Sequence, residues 1–145
     1  MRRSMLAALV VGVPLAAGAV ALAQERTPSA PGAEVYIISP HDGASVHNPV
    51  RVQFGLKGMG IAPAGVKYDN TGHHHLLIDT DPPAAESAPL PATDKIVHFG
   101  KGQTETTLTL PPGKHTLQLL FADSSHIPHS PRVLSKKITI NVQGP

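Results

Sequence analysis

TETTLTLPPGKHTLQLLFA, residues 104–122, sets the character of the whole chain. Two runs rich in β-branched and apolar residues, 104–110 and 114–122, flank Leu110-Pro111-Pro112-Gly113. Proline presets φ in such a turn and glycine tolerates a positive φ, so the stretch reads as a β-hairpin. Working outward, similar short runs lie at 34–38, 49–57, 73–79, 95–98 and 133–142, separated by Pro, Gly, Asn and Asp. From Glu34 onward no segment sustains a period of 3.6 residues, so no helix is expected. Seven short strands in this length predict an all-β, immunoglobulin- or fibronectin III-like antiparallel β-sandwich over residues 34–143. The longest interruption, Asp81 to Asp94, is rich in Ala and Pro and reads as a mobile loop.

Residues 1–23 read as a secretory signal peptide. Arg2 and Arg3 supply the positive start, Met5 to Val20 the apolar stretch, and Ala21-Leu22-Ala23 the small-residue cleavage pattern before Gln24. A membrane anchor is the alternative, since the run approaches the roughly 20 residues that span a bilayer; Gly12, Pro14 and Gly18 argue against a permanent helix. No cysteine follows, which excludes a lipoprotein anchor. Residues 24–33, with two prolines and a glycine, read as a flexible leader. The expected location is therefore periplasmic or secreted, with no membrane span after cleavage.

Removing the signal changes the charge. The +2 of the full chain comes from Arg2 and Arg3, and the rest carries ten basic and ten acidic residues. No basic stripe or stacking platform for nucleic acid remains. The absence of cysteine removes disulfides and thiolate metal ligands alike.

Nine histidines remain: His41, His47, His73, His74, His75, His98, His115, His126 and His129. Side chains alternate along a strand, so His73 and His75 share a face, about 6.5 to 7 Å apart, within reach of one ion. His74, Leu76 and Ile78 form the more apolar set, which makes His73 and His75 the accessible pair and His74 a packed residue. Strands that alternate in direction would bring the connections holding Met59, His98, His126 and His129 to the end where His73 and His75 begin their strand. That end would gather six histidines with Met59, Asp123 and Glu105, leaving His41, His47 and His115 at the other.

Neutral imidazole suits copper, zinc and nickel, and a thioether adds affinity for Cu(I). Met59 is the one methionine beyond the signal and sits in a Gly-rich turn. The expected ligands are His73, His75, His98, His126 and Met59, with copper first and zinc second. Such a site would lose its ion as imidazoles protonate near 6.5. The alternative is a non-enzymatic structural or protein-interaction module of the cell envelope, with the three adjacent histidines as a hydrogen-bonded corner. His115, after its Pro-Pro-Gly turn, reads as structural, and His41 as turn punctuation.

His98-Phe99-Gly100-Lys101-Gly102-Gln103-Thr104-Glu105 lacks phosphate-loop spacing and leads into a strand. Its glycines read as a tight turn, with Gln103 and Glu105 available to orient imidazoles. Ser124, Ser125 and His126 adjoin without a nucleophile elbow, so no catalytic residues are assigned and the sequence points away from an enzyme.

Gly72-His73-His74-His75-Leu76-Leu77-Ile78-Asp79, the His98–Glu105 string and Pro112-Gly113-Lys114-His115-Thr116-Leu117-Gln118-Leu119 together resemble a domain of unknown function found in bacterial exported proteins. The resemblance extends over residues 35–142 and implies a compact exported β domain without an assigned activity. A rod-shape-determination label carried by some such proteins is set aside, because it belongs to multispanning membrane proteins and no apolar span follows residue 23.

Overall fold

The computed structural model describes residues 25–144; the expected signal peptide lies outside the described residues. Ten strands follow in order: β1 (Glu34–Ser39), β2 (Ser45–Val46), β3 (Val50–Lys57), β4 (Gly60–Ile61), β5 (Thr71–Ile78), β6 (Ile96–His98), β7 (Glu105–Leu108), β8 (Gly113–Ala122), β9 (Pro128–Leu134) and β10 (Ile138–Val142). The protein is an all-β sandwich. Among the described residues no helix is long and apolar enough to cross a membrane.

The smaller sheet is β1-β3-β7, antiparallel throughout. In β3 the inward residues Val50, Val52 and Phe54 are buried while Arg51 and Lys57 are exposed, the alternation of a sheet with one wet face. The larger sheet runs β2-β10-β8-β5-β4, with β6 also on β5 and β9 also on β8. Between the sheets lies the main core, where Val35, Val52 and Phe54 meet Leu76, Leu117, Leu119, Phe121 and Ile140. Each such side chain contributes roughly 1.5–3 kcal/mol when fully buried.

β5 and the second half of β8, Leu117–Ala122, are buried on both faces. Leu77, Leu120 and Ala122 point away from the main core and form a second cluster with Leu90. Leu90 belongs to the Ala/Pro-rich connection expected to be mobile. That connection is instead pinned over the outer face of the larger sheet: Leu90 N–H donates to His126 O (2.8 Å), Arg132 donates to Pro83 O, and Glu86 pairs with both Arg26 and Arg132.

Two expectations about strands need correction. The 104–122 stretch is not a hairpin: β7 pairs with β3, β8 pairs with β5, and Pro111-Pro112 carries the chain from one sheet to the other. Two prolines offer no N–H to a ladder, and the Asn48 side chain holds Leu110 through its N–H (3.0 Å) and C=O (2.7 Å). The single run expected at 133–142 is two strands, β9 and β10. Ser135 divides them by occupying the ladder position beside Leu119, with its N–H on Leu119 O (2.9 Å) and its hydroxyl accepting from Leu119 N–H (2.8 Å).

Candidate metal centre

His73 and His75 project from the outer face of β5. Antiparallel pairing of β5 with β6 sets His98 opposite His75, their rings stacked at 5.1 Å and 29°. Pairing of β5 with β8 sets Ala122 opposite His73, so the turn after Ala122 begins beside that residue. This turn brings His126 back over it. His126 adopts φ +65°, a left-handed conformation in which histidine is more tolerated than most residues.

The four imidazoles converge. His73 Nε2 lies 3.0 Å from His126 Nδ1 and 3.1 Å from His98 Nε2. One ring nitrogen from each of His73, His75, His98 and His126 lies within 4.8 Å of all the others. Tetrahedral Zn–N bonds of about 2.0–2.1 Å imply N···N edges of roughly 3.3 Å, so two edges are already near that length. His73 Nε2 carries either one proton or one lone pair in the ring plane, and cannot form two good in-plane bonds to those neighbours at once.

Other polar partners are scarce. Both ring nitrogens of His75 and Nδ1 of His73 are buried without a hydrogen bond. Leaving such a group unsatisfied costs about 1–3 kcal/mol. Burial pushes the His73 pKa down to about 4, aided by His98 and His126 and opposed by Asp123. Burial likewise takes His75 to about 2, helped by His73, His98 and His126. His98 is lowered by burial and by His126. At neutral pH these three rings are therefore uncharged, the form that ligates metal.

The expectation that His73 and His75 are accessible is overturned: they are 0 % and 1 % exposed. Facing was read correctly, but this face is covered by β6, the β8–β9 turn and the connection that carries Leu90. His98 and His126, half-buried, form the rim. His74 points into the main core, its ring 5.1 Å from Phe54 and 5.2 Å from Phe121, with neither nitrogen bonded.

The remaining candidates lie elsewhere. Met59 is half-buried against the main core, the side to which His74 points. His129 stacks on Phe121 at 5.8 Å and bonds Thr71 O through Nε2 (3.3 Å). Glu105 pairs with Arg51, and Gln103 accepts from Lys101 N–H, so neither orients an imidazole. His115 bridges Asp79 (2.7 Å) and Pro111 O (2.8 Å), a structural role.

The glycines of the His98–Glu105 string are expected to form a tight turn, and the position of Gly100 is more specific. A Cβ there would fall 2.3 Å from His98 Cε1 and 2.6 Å from its Nε2, so the His98 ring rests against bare backbone. Only a glycine two residues beyond a histidine hinted at this. Asp123, grouped with the histidines by topology alone, shapes the turn instead: its Oδ1 accepts from Ser125 N–H (2.9 Å) and Ile127 N–H (3.0 Å).

Comparison with protein families matches residues 52–143 to DUF4399, described as a domain of unknown function. The chain belongs to this family. The DUF4399 segment begins within β3 and contains all four converging histidines. Neither the curated proteins nor the solved structures gave a match.

Proposed function

We propose that this DUF4399 protein is an exported binder or buffer of a transition metal, copper first and zinc second, held by His73, His75, His98 and His126. The observation that carries the reading is the convergence of four imidazoles in which the buried His75 has no hydrogen bond on either nitrogen. Unbonded nitrogens alone do not mark a ligand, since the core residue His74 has two as well; at His75 they lie beside three other converging imidazoles. An ion at the centre would use these nitrogens and relieve the conflict at His73 Nε2.

The donor set is all imidazole. Copper(II) heads the affinity order of divalent first-row ions at such sites, and zinc accepts four nitrogens tetrahedrally. Met59 is left out of the proposed set because it packs against the main core, which withdraws the thioether argument for Cu(I). Export is inferred from the signal-like residues 1–23.

Calorimetric titration of residues 24–145 with Cu²⁺, Cu⁺ and Zn²⁺ tests the proposal, repeated on a His73→Ala/His75→Ala double variant. Binding should be tight in the parent and lost in the variant. No binding tighter than millimolar would sink the metal reading in favour of a structural or interaction module.

A further inference from the structure

The turn that presents His126 is assembled around Asp123, which is 8 % exposed. Beyond the two bonds to its Oδ1, Asp123 N–H donates to Ile127 O (3.0 Å) and its C=O accepts from His126 N–H (3.0 Å). Its second carboxylate oxygen accepts from the Thr27 hydroxyl at 2.7 Å. Thr27 is 96 residues away in sequence, within the segment expected to be a flexible leader.

That segment is laid beside β9. Ser29 N–H donates to Ser130 O (3.0 Å), and Ser130 N–H donates to Thr27 O (2.9 Å). The Arg26 side chain donates to Pro128 O (3.1 Å) and to His129 O. Thr27 is thus itself fixed from both sides before its hydroxyl meets Asp123.

We infer that Thr27 and Asp123 are positioning residues of the metal centre: Thr27 orients the Asp123 carboxylate, and Asp123 holds the turn that aims His126 at His73. The inference rests on the metal reading above. Partners that orient ligands from outside the coordination sphere typically matter 10–100-fold in metal affinity. Asp123 reaches its ligand through the backbone, yet the chain from Thr27 to His126 has only one intervening side chain. Linkage is reciprocal, so an ion on His126 must tighten the docking of residues 26–29 by the same factor that docking tightens the ion.

The test uses residues 24–145 and four forms: parent, Thr27→Val, Thr27→Ser and Ser29→Ala. Ser29 donates its hydroxyl to Pro131 O (2.9 Å), so Ser29→Ala removes a bond from the same segment without touching Asp123. Dissociation constants for Cu²⁺ and Zn²⁺ are measured by chelator competition, and amide exchange of Ser29 and Ser130 is followed with and without Zn²⁺. Thr27→Val should bind about tenfold more weakly, Thr27→Ser and Ser29→Ala should match the parent, and Zn²⁺ should slow the two amides in the parent but far less in Thr27→Val. Equal affinity in parent and Thr27→Val, or equal weakening by Ser29→Ala, overturns this inference alone. A parent that binds neither ion overturns the metal reading and this inference with it.

Discussion

His74 offers a quantitative test of how dry the interior is. Its ring is wedged between Phe54 and Phe121, 1 % exposed, and burial lowers its pKa to about 4. In the unfolded chain the ordinary value is 6.5. A lowered folded value means the unfolded chain takes up the proton first. The group therefore leaves stability untouched well above pH 6.5, costs stability as pH falls below it, and reaches its full penalty near pH 4. The gap between the two values corresponds to about 3 kcal/mol in all, of which about 2 kcal/mol has been lost by pH 5. His74→Leu removes that proton-binding site. At pH 7.5 it also removes two unbonded buried nitrogens, a gain of about 1–3 kcal/mol set against a repacking cost of up to about 1.5 kcal/mol. Urea denaturation with a chelator present, at pH 7.5 and pH 5.0, separates the effects. The parent should lose about 2 kcal/mol more than His74→Leu between the two conditions, because His73 and His75 contribute in both proteins. An identical loss in parent and variant would show that the folded protein protonates His74 freely, and the packing account would fail.

Three other outcomes follow from the site and its surroundings. Gly100→Ala should weaken Cu²⁺ and Zn²⁺ binding by about tenfold or more while shifting the thermal midpoint little, since the displaced His98 ring can rotate away; titration and a melting curve check both. Metal affinity should persist further into acid than exposed histidines allow, because His73 and His75 resist protonation until about 4 and about 2, so release should be centred below the ordinary imidazole value of 6.5 in competition titrations across pH. The His115 imidazole, raised by its hydrogen bond to Asp79, should titrate above 6.5 by NMR and return toward 6.5 in Asp79→Asn. A raised folded value stabilises below pH 6.5 and loses its effect as pH rises through the folded value, so the stability difference between parent and Asp79→Asn should shrink at alkaline pH.

The sequence made the all-β class legible through turn residues between short apolar runs, and it made the facing of β5 legible through simple alternation. Leu76 and Ile78 do enter the main core, and Leu77 does face away. It did not reveal that both faces of β5 are covered, because a run of three histidines looks polar and the cover comes from Leu90 and the 123–127 turn, distant in sequence. The step from β7 to β8 looked like a hairpin because Pro-Pro-Gly serves a sheet-crossing connection as well as a tight turn. Grouping His73 and His75 with His98 and His126 needed only alternation and strand direction. Placing Met59 needed the packing of the main core, and finding Thr27 needed a contact 96 residues long.

The site has a floor and a rim. His73 and His75 are closed off by strands on both sides, whereas His98 and His126 still meet solvent. On the proposed function, an ion arriving from water would meet the rim pair first and reach the floor only by shedding its hydration shell inward. Departure would run in reverse, and a competing chelator would seize the ion only at the rim, while the floor still held it. Residence time would then depend on the concentration and size of the competitor as well as on affinity, and a small ligand would strip the ion faster than a bulky one of equal strength.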